Sequence, residues 1–487
     1  MDQPDLGKLF NPASIAMIGV SAEGGKWGHI ILLNILKGNY QGTVYPVNPR
    51  EEAILGYKCY PTVRAIPDKV DLALIVTPAQ VVPSLMDECG AKGIPFVVVI
   101  TSDFSETGSE GAELEREVVA RARKHGIRVV GPNSMGIFCS TSNLHAQMPP
   151  LMPLQGSVSM LSQSGNLGVQ ILGWGEQQGV GFEKFVSSGN EGDLNCVDFL
   201  RYFGQDEDTR VILAYLEGID PGTPLVEEAQ AISRKKPIIV FKGGRTAAGG
   251  RAAASHSGAL AGADRIFKGA VEQAGMLGVT TSQALLDCAK AFANYPLPKG
   301  NRVGIITRGG GWGVITADCC DENGLVVPPL SAALIQRLDE FLPPYWSRGN
   351  PVDLVATIAY DPYPECLEIL ADWEGVDAVL ALGVGSLLPS YPFSHEVKGP
   401  PQLLEAIHRA SQDFERQIQN SDNILHGIGR LVKRAGKPII AVGLGSEASH
   451  KTNLEEFQVV SFPTPERAVH VLRQMYKYRR FLDLRAS

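Results

Sequence analysis

GSVSMLSQSGNLG, Gly156–Gly168, reads as a strand, a tight turn of small residues and the start of a helix. NRVGIITRGGGWG, Asn301–Gly313, repeats that order. Two further pairs follow downstream. RVILAYLEGI (Arg210–Ile219) has a counterpart in DAVLALGVG (Asp377–Gly385), and KKPIIVFKGG (Lys235–Gly244) in GKPIIAVGLG (Gly436–Gly445). Order and approximate spacing agree, which predicts two related doubly wound α/β domains that meet near NYPLPKGN, Asn294–Asn301. Upstream, SIAMIGVS, GTVYPVNP, VDLALIVTP, IPFVVVITSD and IRVVGPN read as strands buried on both faces, and Ser84–Lys92 and Glu110–His125 as crossover helices. Such alternation specifies a parallel α/β sheet. The proline-rich MPPLMPLQG, Met148–Gly156, reads as a linker. The expected domains are therefore 1–148, Rossmann-like and of nucleotide-binding type, then 149–297 and 298–487, both flavodoxin-like, the last with a helical insertion near 386–434. A chain of 487 residues is too long for one core, and three domains fit it.

Composition narrows the function classes. The formal net charge is −8 and no basic block offers a phosphate-backbone footprint, so nucleic acid is not an expected partner. No apolar run is long enough to span a bilayer, and MDQPDLGKLF has no signal-peptide pattern. The eight cysteines are scattered without CxxC or metal-ligand spacing, which suits reduced thiols in a cytoplasmic protein and predicts no metal site.

Four segments carry candidate chemistry. IGVSAEGGKWG, Ile18–Gly28, is a Gly-rich turn after a strand, where backbone N–H groups can approach a phosphate and Lys26 can meet one as a point charge. It lacks the GxGxxG spacing, and the second strand ends in VNPR rather than in an acid, so a nicotinamide cofactor is disfavoured. LSQSGNLG places Ser162, Gln163, Ser164 and Gly165 at a helix start whose expected buried face is Leu167, Ile171 and Trp174. KGGRTAAGGRAAASHSGALAG, Lys242–Gly262, reads as a loop with little side chain of its own, carrying His256 just before an expected helix at Ala259. A neutral imidazole there can attack phosphorus. Glu217 ends the strand AYLEGID, where its carboxylate could accept a ring N–H and orient the histidine. Each has a plainer alternative: an empty βα turn, N-capping by Ser164, a structural histidine, a solvated strand-end acid. His450, in GSEASHKTN, reads as a surface-loop residue.

Together these segments resemble the alpha part of the ADP-forming acetyl-CoA synthetases, relatives of succinyl-CoA synthetase. SHSGALAG is similar to that family's phosphohistidine loop, and SQSG, SSGNEGD (Ser187–Asp193), YLEGI, GNPVDL (Gly349–Leu354), GYKCYP (Gly56–Pro61) and GPNSMGI follow in the family's order. The resemblance implies a CoA-binding first domain, with CoA held by loops matching Gly19, Val20, Ser21, Lys26, Asn48, Pro49, Thr77, Pro78 and Asn133. It implies His256 as the phosphoryl carrier, Glu217 as its support and Ser162–Gly165 as the phosphate cradle. An acyl phosphate made from the thioester and phosphate would phosphorylate the histidine, which would pass the group to an NDP. No ATP-grasp segment precedes the terminal RRFLDLRAS, so the family pattern implies a separate beta subunit that binds Mg²⁺ with NDP or NTP, in an α2β2-like assembly. Two departures stand out: Asp103 where the family has glycine after the fourth strand, and Trp312 in the RGGGWG turn. The competing function is a non-catalytic CoA-binding regulatory or scaffold protein, and the retention of His256, Glu217 and SQSG argues against it.

Overall fold

The computed structural model describes residues 5–218, 224–257, 264–355, 361–384, 399–443 and 445–486, with backbone only at 253–257, 410–420 and 486. The chain divides into two compact bodies, Met1–Glu176 with Val180–Ala289, and Lys290–Ser487 with Gln177–Gly179. The break falls inside the Ser282–Asn294 helix, a few residues before the proline-rich stretch expected to mark it.

The first body contains two sheets. In the first, β1 (Ser14–Ile18) and β2 (Thr43–Val47) precede a small hairpin of β3 (Ala53–Ile54) and β4 (Tyr57–Lys58); β5 (Leu72–Ile75), β6 (Phe96–Val99) and β7 (Arg128–Val130) follow. The order β2-β1-β5-β6-β7 is parallel throughout, with Ile15 beside Val44 on one side and Leu72 on the other. Every residue of β1, β5 and β6 is buried, as their unbroken apolar runs require for strands covered by helices on both faces. The winding reverses between β1 and β5, which opens a crevice at their C-terminal ends.

The second sheet contains β8 (Gly136–Cys139), β9 (Leu144–Gln147), β10 (Gln155–Ser162), β11 (Phe182–Ser187), β12 (Val211–Leu216), β13 (Ile238–Lys242) and β14 (Leu277–Val279), in the order β14-β13-β12-β10-β11-β8-β9. The strands from β10 to β14 are parallel; β8 and β9 are an antiparallel hairpin on the β11 edge. That hairpin lies inside the span assigned by sequence to the first domain, yet it belongs to the second sheet. Its approach is pinned there: the Ser134 hydroxyl donates to the Ser187 carbonyl at 2.6 Å, and the Met135 N–H donates to Ser187 Oγ at 2.9 Å.

The second body has one parallel sheet of β15 (Val303–Thr307), β16 (Val352–Asp353), β17 (Ala378–Leu382), β18 (Ile439–Val442) and β19 (Ser461–Phe462), in the order β16-β15-β17-β18-β19. Its winding is that of β10 to β14, and β15, β17 and β18 take the places of β10, β12 and β13. These are the three pairs of strands that repeat in the sequence. The expected helical insertion is the crossover between β17 and β18 drawn out into the helix Pro401–Ala435, in the place of the short Leu225–Ser233 helix; residues 386–398 lie outside the described residues.

Two side-chain expectations change. The Gly165–Gln177 helix buries Val169, Ile171 and Leu172, while Trp174 is 38% exposed, so the buried face is rotated from the one expected. His450 is no surface-loop residue: it is buried in the Glu447–Phe457 helix, with Nδ1 2.8 Å from Ser461 Oγ. Among the described residues no helix is long and apolar enough to cross a membrane, and no group of three His, Cys, Asp or Glu side chains is placed to hold a metal.

Candidate active site

The ends of β10 and β12 flank the reversal of winding in the second sheet, where doubly wound sheets place their ligands. After β10 the chain turns through Ser162–Ser164 into the Gly165–Gln177 helix. Ser162 is fully buried and its hydroxyl donates to the Ser164 carbonyl at 2.6 Å, so it braces the turn from within. Gln163 reaches across the crevice. Its Oε1 accepts the Glu217 N–H at 2.6 Å and the Gly218 N–H at 3.2 Å, and its Nε2 donates to the Gly218 carbonyl at 3.1 Å. The Gln163 N–H donates to the Tyr215 carbonyl at 3.1 Å. Ser162 and Gln163 therefore brace the turn, and the helix that begins at Gly165 turns its N-terminal end toward this strand end, where an anion would meet a favourable dipole. Gly165 has to be small: a Cβ would lie 2.3 Å from Met135 Cγ.

Glu217 leaves β12 half-buried, with the Tyr215 hydroxyl donating to its Oε1 at 3.4 Å. Burial, and then the Glu217 charge, pushes the Tyr215 phenol up to about 12, so Tyr215 remains a donor at neutral pH. Tyr215 was not singled out by sequence; its place two residues before Glu217 on a buried strand was the available signal.

The segment carrying His256 is a helix, Ala247–Ser257, rather than the expected loop. Its alanines favour helix more than its glycines oppose it. The backbone at His256 is helical, its imidazole lies outside the described residues, and so do residues 258–263, including the helix expected at Ala259. This helix comes against the Ser105–Thr107 turn of the first sheet's domain.

The residues matching CoA loops form one connected rim at the C-terminal ends of β1, β2, β5 and β7. Gly19 has φ +85°, and a Cβ there would fall 2.4 Å from the Val76 carbonyl oxygen, so only glycine lets the β1 turn close on the β5 end. Asn48 Nδ2 donates to the Val20 carbonyl at 2.7 Å, which ties the β2 end to the β1 turn and sets Pro49 beside it. Thr101, missed in the sequence, joins two more loops: its Oγ1 donates to the Thr77 carbonyl at 2.7 Å, next to Pro78, and its carbonyl accepts the Asn133 N–H at 2.9 Å. Ser21 Oγ accepts the Glu23 N–H at 3.1 Å, and Lys26, just before the Trp27–Lys37 helix, is exposed and paired with Glu23 at 2.6 Å. Most of the rim's named N–H groups are spent on holding the loops together, as Gly19 donates to Val47 and Asn48 to Tyr60, so Lys26 is the exposed charge on the β1 turn that a phosphate could meet.

The rim and the second sheet meet through carboxylates. Asn133 Nδ2 donates to Asn190 Oδ1 at 3.3 Å, and Asn190 Nδ2 donates to Glu106 at 2.6 Å and Glu115 at 2.9 Å. Asp103 sits beside this network at φ +74°, its N–H donating to Glu106 Oε1 at 2.8 Å. That left-handed backbone favours glycine, and aspartate is among the side chains that tolerate it.

Residues 13–140 match the family described as CoA binding domain, 155–292 the succinyl-CoA ligase like flavodoxin domain, and 303–378 the ligase-CoA domain. The alpha subunit of acetate–CoA ligase (ADP-forming) I of Pyrococcus furiosus is 37% identical over 485 residues, covering 97% of each chain. The acetate–CoA ligase (ADP-forming) I of Archaeoglobus fulgidus is 40% identical over 469 residues, which cover 96% of this chain and 67% of that protein. A solved structure, the dinucleotide-forming acetyl-coenzyme A synthetase 1 of Candidatus Korarchaeum cryptofilum with phosphate and ADP, matches with TM-score 0.86, 36% identity and 99% coverage of both chains. This chain belongs to the ADP-forming acetate–CoA ligase family.

It is an alpha-type subunit of an ADP-forming acyl-CoA synthetase, an acid–thiol ligase with a CoA-binding domain. The connected rim lies wholly within the 13–140 match. The Gln163 and Glu217 pair lies within the 155–292 match. The RGGGWG turn opens the ligase-CoA match, with Trp312 half-buried on the Gly310–Glu322 helix. Arg308, the residue before its glycines, is held by Asp361 through two hydrogen bonds of 2.9 and 2.7 Å.

Proposed function

We propose that this subunit carries a phosphoryl group on His256 during reversible conversion of acyl-CoA, phosphate and NDP to a carboxylic acid, CoA and NTP. The observation that carries the reading is the Gln163 clamp, which fixes the Glu217 turn beside the helix start at Ser164–Gly165. CoA lies along the rim of Gly19–Ser21, Lys26, Asn48–Pro49, Thr77–Pro78 and Asn133. Phosphate oxygen attacks the thioester carbonyl, and the thiolate of CoA leaves as an acyl phosphate forms. A neutral His256 nitrogen then attacks phosphorus, and the P–O bond to the carboxylate breaks. Glu217 accepts the N–H of the other ring nitrogen and balances the charge the ring gains. The Ser164–Gly165 N–H groups receive the phosphoryl oxygens, as a helix N-terminus does for an anion. The phosphoryl group then passes to NDP on a separate ATP-grasp beta subunit that holds Mg²⁺, in an α2β2-like complex. The acyl group we assign is a short monocarboxylate such as the acetate in the names of the relatives.

The test is phosphorylation of the complex from labelled ATP and Mg²⁺. Acid-labile, base-stable label on this chain, absent in His256→Ala, is the expected result. Unchanged label in His256→Ala would overturn the site. Tight CoA binding with no label under any partner would favour the scaffold reading instead.

A further inference from the structure

Lys242, the last residue of β13, is 4% exposed, and burial pulls its ammonium below the usual lysine range against the opposing pull of Asp264 and Glu217. A buried ammonium is retained at low cost only where its hydrogens and charge are matched. Its Nζ donates to the Glu217 carbonyl at 2.9 Å and to the Gly243 carbonyl at 2.8 Å, and it lies 5.2 Å from the centre of the Phe267 ring. These contacts come from three segments. Glu217 is the turn after β12, Gly243 begins the stretch that leads to His256, and Phe267 lies on the Asp264–Gln273 helix that follows it. Between these two roots the helix AAGGRAAASHS has little side chain with which to make a core, so its placement depends on where its roots are held.

We infer that Lys242 is a positioning residue that fastens both roots of the His256-bearing segment to the Glu217 turn. The inference rests on the reading of His256 as the phosphoryl carrier. An apolar side chain could fill the same volume but could not hold two carbonyls and a ring face at one point. The ammonium acts through Glu217 and His256 and need not touch the phosphoryl group.

The experiment compares the wild-type complex with Lys242→Met, Lys242→Arg and Phe267→Leu. The rate of His256 labelling from ATP, CoA affinity by calorimetry and tryptic cleavage at Arg251 are read in each. Lys242→Met is expected to slow labelling roughly tenfold or more and to speed cleavage, with CoA affinity unchanged. Lys242→Arg, which keeps the charge and donors, recovers a part of the rate. Phe267→Leu slows labelling about threefold. Wild-type labelling in Lys242→Met, or equal loss of CoA affinity, overturns the inference. If Lys242→Met does not fold, Phe267→Leu decides it, and a wild-type rate there overturns it too. Label surviving His256→Ala would instead sink the carrier reading beneath it, so the two failures are distinct.

Discussion

Gln163 holds Glu217 by its backbone: one amide oxygen accepts the N–H of Glu217 at 2.6 Å and that of Gly218 at 3.2 Å, from 54 residues away in the chain. Removing this acceptor leaves two half-buried donors without it, at a cost of about 1–3 kcal/mol each. Gln163→Leu is therefore expected to lower the phosphorylation rate roughly 10- to 100-fold, which corresponds to about 1.4–2.7 kcal/mol of that cost reaching the barrier. CoA affinity, which the proposal assigns to the other crevice, is expected to stay at the wild-type value. Rapid-quench labelling beside calorimetric CoA titration checks both halves.

Gly19 and Gly25 provide a matched pair. Both have positive φ, +85° and +88°, but a Cβ on Gly19 would strike the Val76 carbonyl at 2.4 Å while one on Gly25 meets nothing within 4 Å. Gly25→Ala is expected to cost only the left-handed strain, about 1–2 kcal/mol. Gly19→Ala must also push β1 from β5, and it should weaken CoA binding by at least about tenfold if that movement is worth about 1.4 kcal/mol at the rim. Equal CoA affinities in the two variants would refute the rim as the CoA site.

Asp377 supplies a pH test in the second body. Burial alone would raise its carboxyl pKa, but the Arg302 side chain at 2.9 and 3.0 Å and the Arg302 N–H at 3.0 Å outweigh burial and hold it below the usual carboxylate range. A depressed folded pKa means stability that is fully present above the ordinary value, about 3.9, and lost as pH falls through the lower folded value. Hydrogen exchange in β15 and β17 should be slower in the wild type than in Asp377→Asn at pH 7, and the difference should shrink as pH falls through the lowered folded value. A difference that persists in acid would count against the pairing.

The three sheets were legible because their strands are buried on both faces and so are written as unbroken apolar runs. The duplication was legible because β10, β12 and β13 recur as β15, β17 and β18 with their turns. Glu217 and Ser162–Gly165 stood out in the sequence because one ends a buried strand and the other begins a helix, and the structure places both at the reversal of winding. What stayed hidden depends on contacts without local signature. The Gln163 clamp and the Thr101 bridge join loops distant in sequence through one side chain each. The β8–β9 hairpin has an apolar pattern that names no partner sheet, and its ladder to β11 with the Ser134 and Met135 bonds to Ser187 sets which it joins. The Ala247–Ser257 segment was read by its glycines when its alanines govern it. His450 carries a polar name in a polar stretch, and its burial follows from Ser461 arriving from another strand.

The β8–β9 hairpin also decides which parts are available to travel. Because it is zipped to β11 while its stem leads straight back into β7, the first and second sheets are joined within one compact body. If His256 passes a phosphoryl group to a partner, the part that travels must be smaller than either of these sheets, which move as one.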